Sequence, residues 1–188
     1  MLHLADFDFS NNKHLETQRD IFIFQCCIGC RVGDLMKMTP GNIINGAVEY
    51  IASKTADERP NTIRVPLSER ALNIIDKYKE EVKDGQLLPF ISQQKYNEAL
   101  KEIFKAAGIT RLVTRLNPTT GIEEKVGIDT IATSHMARRT FVGNLYKKVK
   151  DQNLVGSLSG HSVGSRAFAR YREIDDDIKQ DLVNQMGY

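Results

Sequence analysis

The chain has 188 residues with 26 Lys and Arg against 24 Asp and Glu, a formal net charge of +2, and its length suits one domain burying roughly 70% of its unfolded surface. That charge is too mild to mark a nucleic-acid binder by composition, and with no long apolar run and no signal peptide we expect a soluble protein of a reducing, cytoplasmic compartment. Cys26, Cys27 and Cys30 lack the second pair a four-cysteine zinc site needs, and they end the apolar run Ile21-Phe22-Ile23-Phe24, so core packing is expected of them.

In chain order, a first helix is expected from about Leu15 to Cys30, bringing Arg31 to its C-terminal end. A second runs over about Val32 to Met38 until Pro40-Gly41 stops it. Asn45-Gly46 is a two-residue hairpin signal between Ile43-Ile44 and the alternating Val48-Glu49-Tyr50-Ile51, and the next strand is Thr62 to Val65. Lys54 then sits at a strand end, entering a polar loop. Helices follow at Ser68 to Lys83, opened by Ser68, and at Gln93 to Ala107, closed by Gly108. Arg111 to Ile128 alternates about the turn Asn117-Pro118-Thr119-Thr120-Gly121 and reads as a second hairpin. Helices are then expected at Ser134 to Lys150, Asn153 to Leu158, Ser165 to Tyr171 and Asp175 to Gln185. The fold class is α+β, mostly helical with a small antiparallel sheet and hairpins, in a single domain spanning 1–188.

Charge is unevenly placed. Between His135 and Arg172 lie Arg138, Arg139, Lys147, Lys148, Lys150, Arg166, Arg170 and Arg172 against the single acid Asp151. Such a stretch could follow a phosphate backbone or form a solvated helix face. His135 and Arg138 stand three apart, which puts both on one helix face while Arg139 points elsewhere. Taken singly, His135 also fits a packed helix-start histidine, Lys54 a solvated loop lysine and Arg31 a surface or ion-paired arginine. Asp34, three residues beyond Arg31, is a candidate to hold that guanidinium through an ion pair.

A phosphodiester gains negative charge as it becomes a pentavalent phosphorane, so a site without metal needs fixed cations, hydrogen-bond donors, a proton source and a nucleophile. Arg31, Lys54, His135, Arg138, His161 and Tyr171 follow one another in an order that supplies all of these. Five motifs carry them: Gly29-Cys30-Arg31-Val32-Gly33-Asp34-Leu35, Ser53-Lys54-Thr55, Ser134-His135-Met136-Ala137-Arg138-Arg139-Thr140-Phe141, Ser159-Gly160-His161-Ser162 and Phe168-Ala169-Arg170-Tyr171. In this the chain resembles the catalytic domain of tyrosine recombinases, the phage-type integrases, and especially integrases of bacterial conjugative transposons and related mobile elements. The resemblance runs from about Leu15 to the C-terminus.

The resemblance implies the tyrosine recombinase catalytic-domain fold and cleavage of double-stranded DNA through a 3′-phosphotyrosyl intermediate, with no metal and no cofactor. It assigns Tyr171 as nucleophile among the six tyrosines, Arg31 and Arg138 as phosphate clamp, His135 and His161 as hydrogen-bonding or proton-transfer groups, and Lys54 as the acid that protonates the leaving 5′ oxygen. Asp34 takes an orienting role, and Arg139, Arg166, Arg170 and Arg172 are candidate DNA contacts. One departure is the His161 to Tyr171 interval, ten residues where nine is usual, with Val163-Gly164-Ser165 filling the turn. The family carries an N-terminal core-binding domain, and since Arg31 lies only about 30 residues in, a catalytic-domain fragment is expected. It works as a tetramer on DNA in the bacterial nucleoid, so Asp175 to Gln185 is either a segment donated to a neighbouring protomer or a helix folded on its own core. Two rivals stay open: a type IB topoisomerase-like relaxing enzyme, which would have Lys at the position of His135, and a non-catalytic DNA-binding module with the same fold.

Overall fold

The computed structural model describes residues 2–53, 62–82, 85–149, 151–161 and 183–186. Two helices open the chain, α1 (Leu2–Ala5) and α2 (Lys13–Ile28). Asn12 caps α2 by accepting the Leu15 N–H at 3.1 Å, and the helix ends at Gly29, whose φ of 67° puts it in the left-handed region. Apolar side chains occur all around α2, so it cannot lie on a surface, and Ile21, Phe22, Ile23, Phe24, Cys26 and Ile28 are all buried. It is the central post of the molecule: α4 (Glu69–Tyr78), α5 (Gln93–Ala106) and α6 (His135–Val149) all pack against it. Cys26 and Cys30 are core residues, Cys27 is half-buried, and all three are free thiols.

After the short α3 (Val32–Leu35), β1 (Ile43–Ile44), β2 (Ala47–Ile51) and β3 (Thr62–Pro66) form an antiparallel meander, with Val48 opposite Val65 and Tyr50 opposite Ile63. Those four side chains are the buried face. Asn45 and Gly46, at φ of 47° and 72°, make the expected tight turn. The second hairpin, β4 (Leu112–Leu116) with β5 (Glu123–Gly127), is also where the sequence predicts it. Helix α7 (Gln152–Ser159) is capped by the Asp151 carboxylate, which accepts from the Asn153 and Leu154 N–H groups.

The fourth helix is shorter than expected, ending at Tyr78 rather than Lys83. Lys79, Glu80 and Glu81 present no apolar side chain to the core, and Glu81 N–H closes a turn on Tyr78 O at 3.0 Å instead. The helix expected over Ser165 to Tyr171 lies outside the described residues, as does that over Asp175 to Gln185 apart from its last turn. The N-terminal segment is fastened by Arg19, whose Nη1 donates to Leu4 O, Ala5 O and Phe7 O at 3.3, 3.0 and 2.7 Å, and whose Nε meets Asp20 Oδ1 at 2.6 Å. Asp20 Oδ2 in turn accepts from Lys77 at 2.7 Å and the Tyr78 hydroxyl at 2.8 Å, so α2 and α4 share that carboxylate.

Gly29 is needed twice over, for its φ and because a Cβ there would lie 2.1 Å from the Phe141 ring of α6. Gly108, at φ +69° but facing open space, separates the two effects. Gly108→Ala is expected to cost about 1 kcal/mol from the left-handed backbone alone, and Gly29→Ala about 3 kcal/mol once the displaced ring is added. Equal midpoint shifts for the two variants in urea unfolding would show that Phe141 yields without cost.

Candidate active site

Four of the predicted site residues converge from three separate stretches of chain. Arg31 follows the left-handed turn at Gly29 and occupies the N-cap of α3 with extended backbone (φ −73°, ψ 151°). His135 and Arg138 lie one turn apart at the start of α6. His161 follows Gly160, the left-handed cap of α7 at φ 68°. The side chains of Arg31, His135 and Arg138 line one cleft of ≈ 370 Å³, together with Gln25, Cys30, Val32, Gln93, Asn97, Thr133 and Ser134.

Arg138 joins the third stretch to the other two. The residue is 2% exposed. Nη1 donates to Gly29 O at 2.7 Å, and Nη2 to Ser159 O at 2.7 Å and to His161 Nε2 at 3.0 Å. The planar fork thus holds the end of α2, the end of α7 and the His161 ring in one arrangement. The start of α6 is fixed from another side, since Ser134 N–H donates to Asn97 Oδ1 of α5 at 2.9 Å. Gln25 completes the wall, donating from Nε2 to Cys30 O at 3.1 Å and accepting from the Tyr96 hydroxyl at 3.1 Å. Arg31 is half-buried; its carbonyl accepts the Asp34 and Leu35 N–H groups, while its guanidinium makes no hydrogen bond or ion pair among the described residues.

The cationic setting acts on both histidines. Burial first, then Arg138, Arg31 and His135, push the His161 imidazole down to about 3. Desolvation at the cleft wall, followed by Arg138, Arg139 and Arg31, lowers His135 as well. Both rings are therefore neutral at physiological pH.

Asp34 is 6% exposed, yet its buried Oδ2 has no partner and it does not form the expected ion pair with Arg31. The three-residue spacing would bring the two together on a helix, but Arg31 is the cap residue and its extended backbone takes its side chain off the helical face. Asp34 Oδ1 instead accepts the Ser53 N–H at 3.0 Å, from the residue just before Lys54. Lys54 itself, Tyr171, Arg166, Arg170 and Arg172 lie outside the described residues, and Arg139 is exposed on α6.

Competing tyrosines can be sorted. The Tyr78 and Tyr96 hydroxyls are buried in hydrogen bonds to Asp20 and Gln25. Tyr50 is 8% exposed with an inaccessible hydroxyl that has no partner, so it cannot reach a phosphodiester although Arg138, Asp34 and Arg31 are near. Sequence reasoning missed Gln25, Asn97 and Ser159. Gln25 left a signal, a lone amide between Phe24 and Cys26 in an apolar run; Asn97, on an amphipathic helix with a polar face, left none.

No curated protein matches the sequence. Among solved structures, the chain is similar to a lambda integrase dimer bound to a COC′ core site, at 20% identity and TM-score 0.64 over 92% of this chain and 56% of that one. It is similar to XerH site-specific recombinase bound to difH substrate, at 17% identity and TM-score 0.61 over 97% and 50%. A third similar structure is the Tn1549 transposon integrase in complex with transposon right end DNA, at 12% identity and TM-score 0.61 over 100% and 64%. The chain spans about half the length of the first two, and at these identities the likeness establishes the fold. The sequence matches the phage integrase family over residues 5–177: the chain belongs to that family and has the tyrosine recombinase catalytic fold.

Proposed function

We propose that this chain carries out site-specific DNA recombination, breaking and rejoining double-stranded DNA by metal-free tyrosine chemistry. The observation that carries the reading is the gathering of Arg31, His135 and Arg138, from opposite ends of the chain, at one cleft, with His161 held against Arg138. Family membership supports it.

In the reaction the Tyr171 oxygen attacks phosphorus as its phenol proton passes to a neutral imidazole, His135 or His161, and the bond from phosphorus to the 5′ oxygen breaks. Lys54 gives a proton to that oxygen. Arg31 and Arg138 stabilise the charge growing on the non-bridging oxygens, a task for which a planar fork is better matched than an ammonium. His135 and His161 contribute as neutral rings, hydrogen-bonding or relaying protons. The 3′-phosphotyrosyl ester keeps the energy of the broken bond, so a 5′ hydroxyl from another strand reverses the step without ATP. Arg139, Arg166, Arg170 and Arg172 follow the DNA backbone. The full recombinase assembles as a tetramer on DNA in the bacterial cytoplasm, and Val183 and Met186, both exposed, belong to a segment donated to a neighbour.

The test is covalent trapping in EDTA on a nicked duplex carrying a candidate element end, with mass spectrometry of the nucleotide-linked peptide. An adduct on Tyr171 is expected, absent in Tyr171→Phe while DNA affinity stays within about twofold; an adduct elsewhere, or cleavage by that variant, contradicts the assignment. Arg138→Lys should lower cleavage by about a hundredfold or more, because an ammonium cannot span Gly29 O, Ser159 O and a phosphate together. Cleavage within tenfold of the parent would remove Arg138 from the clamp.

Acid stability offers an independent check of the site's electrostatics. Below pH 6.5, the ordinary His value, the unfolded chain takes up a proton that folded His161 refuses until about pH 3. Stability is therefore lost as pH falls through that window. His161→Gln removes this contribution, so its Tm should fall less steeply than the parent's between about pH 7 and pH 5; parallel slopes would mean that the ring is not held neutral.

A further inference from the structure

We infer that Ser159 is a positioning residue that fixes His161 in a single tautomer, with its proton on Nδ1 and the Nε2 lone pair turned to Arg138. Ser159 is fully buried as the last residue of α7. Its Oγ lies 2.6 Å from Val155 O and 2.8 Å from His161 Nδ1. Two oxygens at 2.6 Å must share a proton, and a carbonyl has none, so the hydroxyl proton points to Val155. Having spent its one proton there, Oγ can only accept from the imidazole. Nδ1 must then carry the hydrogen.

Arg138 also needs a bare ring nitrogen to donate to, but it does not by itself choose which, so the choice falls to Ser159. A guanidinium has only donors, so the ring nitrogen that accepts from Arg138 must be unprotonated, and Nη2 lies 3.0 Å from Nε2. Nη2 also lies 3.3 Å from Nδ1, but a lone pair cannot be there when the same atom donates to Ser159. The chain of hydrogen bonds runs Arg138 to His161 to Ser159 to Val155, each donor meeting an acceptor. Ser159 enters it a second time through its carbonyl, which accepts Nη2 at 2.7 Å.

For the reaction this makes Nε2 the one atom of His161 able to take up a proton, and it keeps the ring against Arg138. That catalytic meaning rests on the DNA-cleaving role proposed above; the tautomer does not. Replacing the hydroxyl leaves the backbone contact to Arg138 in place and frees the ring to carry its proton on either nitrogen.

The experiment is ¹⁵N spectroscopy of the intact chain with labelled histidine, in which the four imidazoles are assigned with the aid of His161→Gln and the protonated and bare nitrogens are told apart by shift. The parent should show His161 protonated on Nδ1 alone at neutral pH, Ser159→Ala should move the proton toward Nε2, and Ser159→Thr should restore the parent pattern. A parent spectrum with the proton on Nε2, or an unchanged tautomer in Ser159→Ala, overturns the inference, and the parent spectrum decides even if a variant does not fold. In single-turnover cleavage Ser159→Ala should slow the chemical step about tenfold with DNA affinity within about twofold, and Ser159→Thr should recover most of the rate. An unaltered rate beside a changed tautomer would overturn the positioning role. Absence of cleavage in the parent, with the tautomer as described, would count against the DNA-cleaving reading alone.

Discussion

Everything at this site hangs on how one guanidinium is kept inside the protein. Removing a charge from water costs several kcal/mol even after relaxation, and Arg138 is 2% exposed. Part of the compensation is built from backbone. The C-terminal ends of α2 and α7 both turn toward it, and Gly29 O and Ser159 O, carbonyls that their helices leave without an internal partner, accept its donors at 2.7 Å. A helix C-terminus also carries partial negative charge, so two converging ends offer the cation a favourable field without a carboxylate that would repel a phosphate. The left-handed glycines make this geometry possible. Gly29 and Gly160 each turn the chain at a helix end, and each sits where a Cβ would strike a neighbour, Phe141 in one case and Ile63 at 2.3 Å in the other.

The same cation sets the chemistry of what surrounds it. A half-buried imidazole beside two arginines would become a third charge only at high cost, so His161 stays neutral well below its ordinary range, and His135 is shifted in the same direction. Neutral rings can accept as well as donate, which an imidazolium cannot. Hydrogen bonding then decides which nitrogen does which. A phosphate in the cleft would reverse part of this balance, because its negative charge offsets Arg31 and Arg138 and makes a protonated ring less costly. Proton affinity at His161 is thus coupled to occupancy of the site.

Much of this was legible in the sequence because it depends on short-range patterns. The spacing of His135 and Arg138, the Asn45-Gly46 turn and the two hairpins are each set by neighbours a few residues away. What was not legible depends on distance in sequence. Asn97 holds the start of α6 through a bond across 37 residues, and Arg138 reaches Gly29 across 109. Asp34 shows the remaining kind of failure. A three-residue spacing aligns side chains only where both residues stand on a helix, and Arg31 is a cap with extended backbone.

Asp34 also shows how the fold links the two arms of the predicted constellation. Leu35 is fully buried beside it, which anchors α3, and the 3.0 Å bond from Ser53 N–H to Oδ1 ties the residue preceding Lys54 to the same short helix that Arg31 caps. A buried carboxylate accepting a backbone N–H makes a charge-assisted bond, stronger than a neutral one and more restrictive in direction. Arg31 and the approach to Lys54 therefore share one rigid support. A change at Asp34 would act on Ser53, the residue before Lys54, rather than on the Arg31 guanidinium, because the carboxylate touches the first and not the second.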